Sequence, residues 1–457
     1  MNQLQLFLPC AAGVEILLAA EVQRITGLAG KAWRAGVQLQ GSWREAQQLN
    51  LHSRLAQRVL IELHHGAYRS EQDLYSAAAS VAWEIWFTPQ QTFKVEITAQ
   101  HSPLTSLNFA ALKIKDAVAD RFRHKFNDVR PSVDTRWPDV RVYAHLSVDT
   151  VTLYIDTSGE PLFKRGWRED KGDAPLKETL AAAVIAASGW GNGHEGLCKA
   201  GVPLYDPCCG SGTIAIEAAQ IACSIAPGIN RRFAFEKYLP FQPHVWDGLL
   251  DQAEAAITAP CAPVFGSDVS FRMVDFAERN AERAGVANAV QFRGGDALQR
   301  MPPAPTGVML VNPPYGERID VAGVAGTPSV QARDQRRAQQ FEGQAIDDFG
   351  QPIFNDGSDW PPEVPRRNRA ANPGREQAQN AWGEEASDFF VQLAAHWKKH
   401  YAGWTAHVLT PELKLPNKMR LKESRRVPMW NGPIECRLFR FDMVAGSARA
   451  KAGSSAP

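Results

Sequence analysis

The residues best suited to chemistry in this chain are Asn312-Pro313-Pro314-Tyr315. The two prolines fix the backbone behind the asparagine. The Asn312 side-chain oxygen and the Pro313 carbonyl can then both accept hydrogen bonds from one planar amine. Tyr315 offers a ring on which a base can stack, worth about 1–3 kcal/mol. An exocyclic amine of adenine or guanine is a poor nucleophile, because its lone pair is delocalised into the ring. Two fixed acceptors favour the pyramidal amine and aim its lone pair at an electrophilic methyl group, which is preorganised electrostatics acting on the transition state. No strong base is required, since the methylated cationic amine is very acidic. Asn-Pro and Pro-Pro also stop strands in ordinary turns, so the tetrapeptide draws its meaning from its place in the chain.

About 100 residues earlier, Leu204-Tyr205-Asp206-Pro207-Cys208-Cys209-Gly210-Ser211-Gly212-Thr213 reads as a buried strand ending in an acid, then a glycine turn opening a helix. Glycines let a backbone approach a ligand closely, and a helix N-terminus favours negative groups. A nucleotide-like cofactor can lie across such a turn, and Gly210-x-Gly212-x-x-Ala215 also fits a dinucleotide site. Asp206 separates the two: a carboxylate at the strand tip suits the ammonium of S-adenosylmethionine and repels a pyrophosphate. Asp268, at the end of the next strand, can accept from ribose hydroxyls. Asp296, after the third, can accept from an adenine amine. Each acid alone could be a helix cap; three at successive strand ends point to a cofactor crevice.

The elements that would hold these residues alternate. From about residue 175 the pattern runs helix Leu176–Ser188, strand Val202–Tyr205, helix Thr213–Ala222, strand Val264–Ser267, helix Phe271–Ala284, strands Val290–Phe292 and Val308–Val311, helix Ala386–His400 and strand Ala406–Leu409, closing with a hairpin over Val427–Trp430 and Ile434–Phe441 turned at Asn431-Gly432. That is an α/β class with a parallel sheet and a C-terminal antiparallel hairpin. Upstream, residues 4–8, Val14–Gln23 and Val37–Leu39 give a β-α-β rhythm. A second unit over about 50–157 contains Leu55–Leu63 (helix or strand), strand Phe93–Thr98, helix Asn108–Phe126 with Leu112, Ala119 and Phe122 on its apolar side, and strands Val140–Val148 and Thr150–Ile155. Residues 321–383, rich in Gln, Arg, Asn, Pro, Gly and Ala, bury too little apolar area to order and read as a disordered insertion; 444–457 read as a disordered tail.

With 457 residues, about three structural units are expected. Lys+Arg (50) and Asp+Glu (49) nearly cancel, so any nucleic-acid signal must be local. Two such patches exist: Arg121, Arg123, His124 and Lys125 with Arg130, Arg136 and Arg141, and Lys414, Lys418, Arg420, Lys422, Arg425 and Arg426. Both can contact phosphates without reading sequence. The seven cysteines include no CxxC pair, which gives no support for a zinc site and suggests reduced cytoplasmic thiols. No signal peptide or membrane span is expected.

Together, Pro175–Leu180, Asp206–Thr213, Ile225–Gly228, Phe233–Lys237, Gly266–Asp268, Asn312–Arg318 and Asn431–Leu438 resemble the THUMP-containing class I RNA guanine-N2 methyltransferases, with the bacterial 23S ribosomal RNA branch most similar. The resemblance implies a Rossmann-like class I methyltransferase domain over 175–443, preceded by a ferredoxin-like unit over 1–45, a THUMP RNA-binding domain over 46–157 and a linker over 158–174. It implies S-adenosyl-L-methionine held by Asp206, Pro207, Cys208, Gly210, Gly212, Thr213, Asp268 and Asp296, with Lys177 and Thr179 in the pocket wall. Catalysis would fall to Asn312, Pro313 and Tyr315, and RNA binding to Arg121, Arg123, Lys125, Lys418, Lys422 and Arg425. The implied partner is 23S rRNA or a pre-ribosomal particle, with no metal, membrane or obligatory protein partner. Leu8-Pro9-Cys10-Ala11-Ala12-Gly13 departs from the family by lacking Arg-Gly after the proline. Some bacterial relatives carry a second methyltransferase domain downstream, for which this sequence has no room after 443. Other readings stay open: a tRNA guanine-N2 or DNA adenine-N6 methyltransferase, a non-catalytic RNA assembly factor, or a dinucleotide oxidoreductase.

Overall fold

The computed structural model describes residues 3–172, 175–191, 196–313 and 384–444, with backbone only for 384–388. Pro314, Tyr315, the 321–383 insertion and the residues from 445 onward lie outside the described residues.

The first half contains β1 (Leu4–Pro9), α1 (Glu15–Thr26), β2 (Lys31–Trp33), β3 (Gly36–Gly41), α2 (Trp43–His52), β4 (Leu60–Ala67), α3 (Glu71–Ser80), β5 (Phe93–Ala99), α4 (Leu107–Lys125), β6 (Val140–Leu146) and β7 (Thr150–Asp156). Its seven strands form one sheet in the order β2-β3-β1-β4-β7-β6-β5. All neighbours are antiparallel except β5 and β6. The two expected N-terminal units therefore share a sheet, joined where β1 meets β4 through Leu6↔Ile61 and Phe7↔Leu60. The ambiguous Leu55–Leu63 stretch resolves into a strand that begins at Leu60. One expectation fails in part: Leu112 is half exposed, whereas Ala119 and Phe122 are buried as expected, together with Ala110, Ile114, Ala117 and Val118. These recur at three- and four-residue spacing, so the stripe is real but rotated away from Leu112.

The second half contains α5 (Glu178–Ala187), β8 (Leu204–Asp206), α6 (Thr213–Ala222), α7 (Pro243–Ala255), β9 (Val264–Asp268), α8 (Phe271–Arg283), β10 (Val290–Gly294), β11 (Gly307–Val311), α9 (Glu384–His400), β12 (Trp404–Thr410), α10 (Leu415–Met419), β13 (Arg425–Asn431) and β14 (Ile434–Asp442). The sheet order is β10-β9-β8-β11-β12-β14-β13. The first five strands are parallel, and β14 runs antiparallel to both neighbours. Every residue of β11 is buried, as a central parallel strand covered on both faces requires. The chain moves outward one way from β8 through β9 to β10, and the other way from β11. The strand order thus reverses between β8 and β11, and ligands of open α/β sheets bind outside the strand ends at such a reversal. Asp206 ends one of these strands and Asn312 follows the other.

The halves are clamped together. Glu217 on α6, fully buried, accepts from Arg54 of the first half at 3.2 Å and from Arg165 of the linker at 3.0 Å. Gly228 lies so close to the first half that an added Cβ would stand 2.8 Å from the Asn50 carbonyl oxygen. The same chain segments that carry the N-terminal sheet therefore bear directly on the helix that follows the glycine turn.

Candidate active site

The glycine turn takes the shape its sequence requires. Gly210 has φ +52° and Gly212 has φ +89°, left-handed conformations that favour glycine. A Cβ on Gly212 would stand 2.9 Å from the Ala277 Cβ, whereas one on Gly210 would meet nothing within 4 Å. Gly212 is thus packed from behind and Gly210 borders open space.

Asp206 is 1% exposed at the tip of β8. Among the described residues its carboxyl accepts the Cys208 N–H at 3.1 Å. Burial pushes its pKa up to about 8; the Cys208 hydrogen bond opposes this and the nearby Asp268 adds to it. A carboxyl so placed is poised for a cation. Asp268 ends β9 and accepts the Gly210 N–H at 2.9 Å and the Ser270 N–H at 2.9 Å. Burial raises its pKa too, against those two bonds. Each of its oxygens keeps acceptor capacity. Asp296 accepts the Leu298 N–H at 2.9 Å and holds the following turn, the capping role that any acid can play. The three acids converge on Cys208, whose thiol is pushed well up by burial and then by Asp206, Asp268 and Asp296. Cys208 and the buried Pro207 bridge the strand tip and the glycine turn.

Thr213, Thr179 and Lys177 flank this region. Thr213 opens α6 and its hydroxyl accepts from Arg168 at 2.8 Å; Thr179 is buried on α5. Lys177 caps α5 with its ammonium 4.8 Å from the Phe163 ring centre. Sequence reading missed Arg168, which also binds Glu178 at 2.8 Å and the Leu176 carbonyl at 2.9 Å. It also passed over Val269, an apolar side chain half exposed directly after Asp268.

Asn312 follows β11 on the far side of the reversal. Its Oδ1 is buried and has no hydrogen-bond partner among the described residues. Pro313 beside it is buried. Tyr315 lies outside the described residues. The acids and the amide thus gather at one end of the sheet, while the basic residues divide. Arg121 binds Glu84 through two nitrogens and the Ala79 carbonyl through a third, Arg123 pairs with Asp120 at 3.2 Å, and Lys125 stands 4.0 Å from Glu84. Lys418 pairs with Glu412 at 2.6 Å. Lys422 and Arg425 are exposed, with no ion pair among the described residues. Among the described residues no group of His, Cys, Asp and Glu could hold a metal, and no helix is long and apolar enough to cross a membrane.

Three family models match this chain: the RlmL ferredoxin-like domain over residues 5–60, the THUMP domain over 68–156 and the RMKL-like methyltransferase domain over 165–326. The chain is 32% identical over 445 residues to a ribosomal RNA large subunit methyltransferase K/L of Psychromonas ingrahamii, covering 96% of this chain and 50% of the relative. It is 32% identical over 451 residues to the protein of that name from Shewanella sediminis, covering 98% and 54%. The chain therefore spans about half the length of the curated relatives it matches. The crystal structure of a protein described as a methyltransferase, complexed with SAH, superposes with a TM-score of 0.73 at 24% identity, over 97% of this chain and 98% of that one. That likeness speaks for the fold. The chain thus carries an RlmL-type ferredoxin-like domain, a THUMP domain and an RMKL-like methyltransferase domain in this order, with the class I methyltransferase fold in the last.

Proposed function

We propose that this chain methylates the exocyclic N2 amine of a guanosine in 23S ribosomal RNA, using S-adenosylmethionine. The observation that carries the reading is the Asn312 Oδ1, buried with no partner among the described residues at the sheet reversal, across from the buried Asp206. Leaving such an acceptor unsatisfied costs about 1–3 kcal/mol, a cost removed when a ligand brings the donor. The bound cofactor would supply a methyl group on a sulfonium carbon.

The chain's own residues fit that partner. Asp206 is a buried carboxyl that would take the cofactor's ammonium, Asp268 has spare acceptor capacity for ribose hydroxyls, Asp296 would accept from the adenine amine, and a Cβ on Gly210 would meet nothing within 4 Å. Asn312 Oδ1 and the Pro313 carbonyl hold the two hydrogens of the target amine and orient its lone pair, and Tyr315 stacks on the base. A paired guanine has its amine engaged, so the target is unpaired or extruded. RNA is held by the N-terminal sheet and the exposed Lys422 and Arg425. The names of the curated relatives support the rRNA substrate; guanine N2 rests on the Asn-Pro-Pro-Tyr chemistry and the family resemblance.

Incubating the chain with methyl-labelled cofactor and large-subunit rRNA, total tRNA or DNA, then digesting to nucleosides, tests this. Label recovered as N2-methylguanosine from the rRNA arm is expected. Label in N6-methyladenine, or in tRNA alone, would replace the proposal with one of its rivals.

A further inference from the structure

We propose that Asn280, on α8 and remote from the reacting atoms, is a positioning residue that sets the shape of the cofactor crevice. Its side chain is fully buried. Its Nδ2 donates to the Ser211 carbonyl at 3.1 Å and to the Asp170 carbonyl at 2.8 Å. Its Oδ1 accepts from Arg283 at 2.7 Å and more weakly, at 3.4 Å each, from the Glu169 and Asp170 N–H groups.

The placement of Ser211 gives this its force. It lies between Gly210 and Gly212, both at positive φ and neither with a side chain to anchor it. A turn built this way holds its shape only through contacts made to its backbone. Asn280 supplies one from α8, the helix that follows Asp268. One amide therefore ties the glycine turn beside Asp206 to the strand-helix unit carrying Asp268, and fixes the spacing between the two. It also binds the linker. Residues 165–170 form a strap across the back of this region: Arg165 on Glu217, Arg168 on Thr213 and Glu178, Asp170 on Asn280 and Arg283. The strap continues directly from the N-terminal sheet, which ends at Asp156.

A side chain that merely filled the core would affect stability alone. A positioning side chain affects ligand affinity as well, because the crevice must be rebuilt each time the ligand binds. The inference concerns the cofactor, and its deciding measurement, ligand affinity, is made without RNA, so it stands or falls separately from the guanine reading.

The test is calorimetric titration of S-adenosylhomocysteine into wild type, Asn280→Asp and Asn280→Ser. The Asp variant keeps the shape and loses both donations; the Ser variant keeps one donor and one acceptor and guards against a failure of the first to fold. The expected result is a dissociation constant raised at least tenfold in the Asp variant and less in the Ser variant. The rise in melting temperature on saturation with S-adenosylhomocysteine should shrink in the same order. With saturating cofactor and RNA, kcat should fall far less than the affinity. Wild-type affinity in either folded variant, whatever its melting temperature, overturns the proposal.

Discussion

Asp206 makes a quantitative demand on cofactor binding. Its carboxyl is 1% exposed, and burial pushes its pKa to about 8. Without cofactor at pH 7 it is protonated in about nine molecules of ten. If it receives the cofactor's ammonium, it must be ionised in the complex, and binding must release that proton. Between pH 5.5 and 7.5, where the amine of S-adenosylhomocysteine stays protonated, the affinity is expected to strengthen about tenfold per pH unit, or about 100-fold overall, equal to about 2.7 kcal/mol. Calorimetry at pH 7 in buffers of different ionisation enthalpy should register about 0.9 proton released. Methylthioadenosine, which lacks the amino-acid ammonium, should show no such slope, and Asp206→Asn should abolish it for S-adenosylhomocysteine. The same carboxyl acts on folding with the opposite sign. Its pKa is higher folded than unfolded, so its contribution is fully favourable below about pH 4 and is lost as pH rises to about 8, by up to about 6 kcal/mol. The cofactor-free protein should therefore melt progressively lower across that window, and saturating cofactor should flatten the decline. A dissociation constant unchanged from pH 5.5 to 7.5, with no proton released, would refute the assignment of Asp206 to the ammonium.

Four further outcomes are expected. Asn312→Ala should lower turnover by about 2.7–4 kcal/mol in the barrier while leaving S-adenosylhomocysteine affinity within a few-fold; single-turnover methylation paired with calorimetry measures both. Gly212→Ala places a Cβ 2.9 Å from the Ala277 Cβ at φ +89°, and should destabilise by about 1–3 kcal/mol in urea unfolding and weaken cofactor binding. Glu217→Gln leaves Arg54 and Arg165 buried without their carboxylate, and should cost about 3–5 kcal/mol of stability, a figure that an unchanged melting curve would contradict. Lys422→Ala and Arg425→Ala should each reduce the slope of log affinity against log salt for RNA by about 1.

The second half was largely legible in the sequence because its signals are local. A buried apolar run followed by an acid and glycines marks the end of β8 within a few residues, and β11 announces itself as Gly307–Val311 before Asn312. The misses were of two kinds. Helices α2 and α3 went unread although each begins with a readable signature, Ser42 with Glu45 and Ser70 with Asp73, in reciprocal capping boxes. The remaining misses depend on contacts between distant residues. The Arg121 pairing spans 37 residues to Glu84, the Arg54 contact spans 163 to Glu217, and the Asn280 amide reaches back 69 to Ser211. No local pattern encodes these, so a basic run such as 121–125 looks free for phosphate when most of its charge is already neutralised. That the Asn312 oxygen is buried with no partner among the described residues is likewise a property of packing; its residue type and position were readable, its isolation was not.

The joint between β1 and β4 bears on how the molecule can be taken apart. The ferredoxin-like and THUMP matches stop and start at residues 60 and 68, so β4 (Leu60–Ala67) falls almost wholly in the gap. Yet β4 pairs with β7 from Leu60↔Asp156 to Ala67↔Thr150 and with β1 on its other side. A fragment excised at residue 68 would leave β7 with a bare edge along its whole length, an invitation to aggregate edge to edge. Chimeras that trade RNA specificity between relatives should exchange residues up to about 157 as one cassette, with the cut placed at the start of the strap rather than between the two recognised modules.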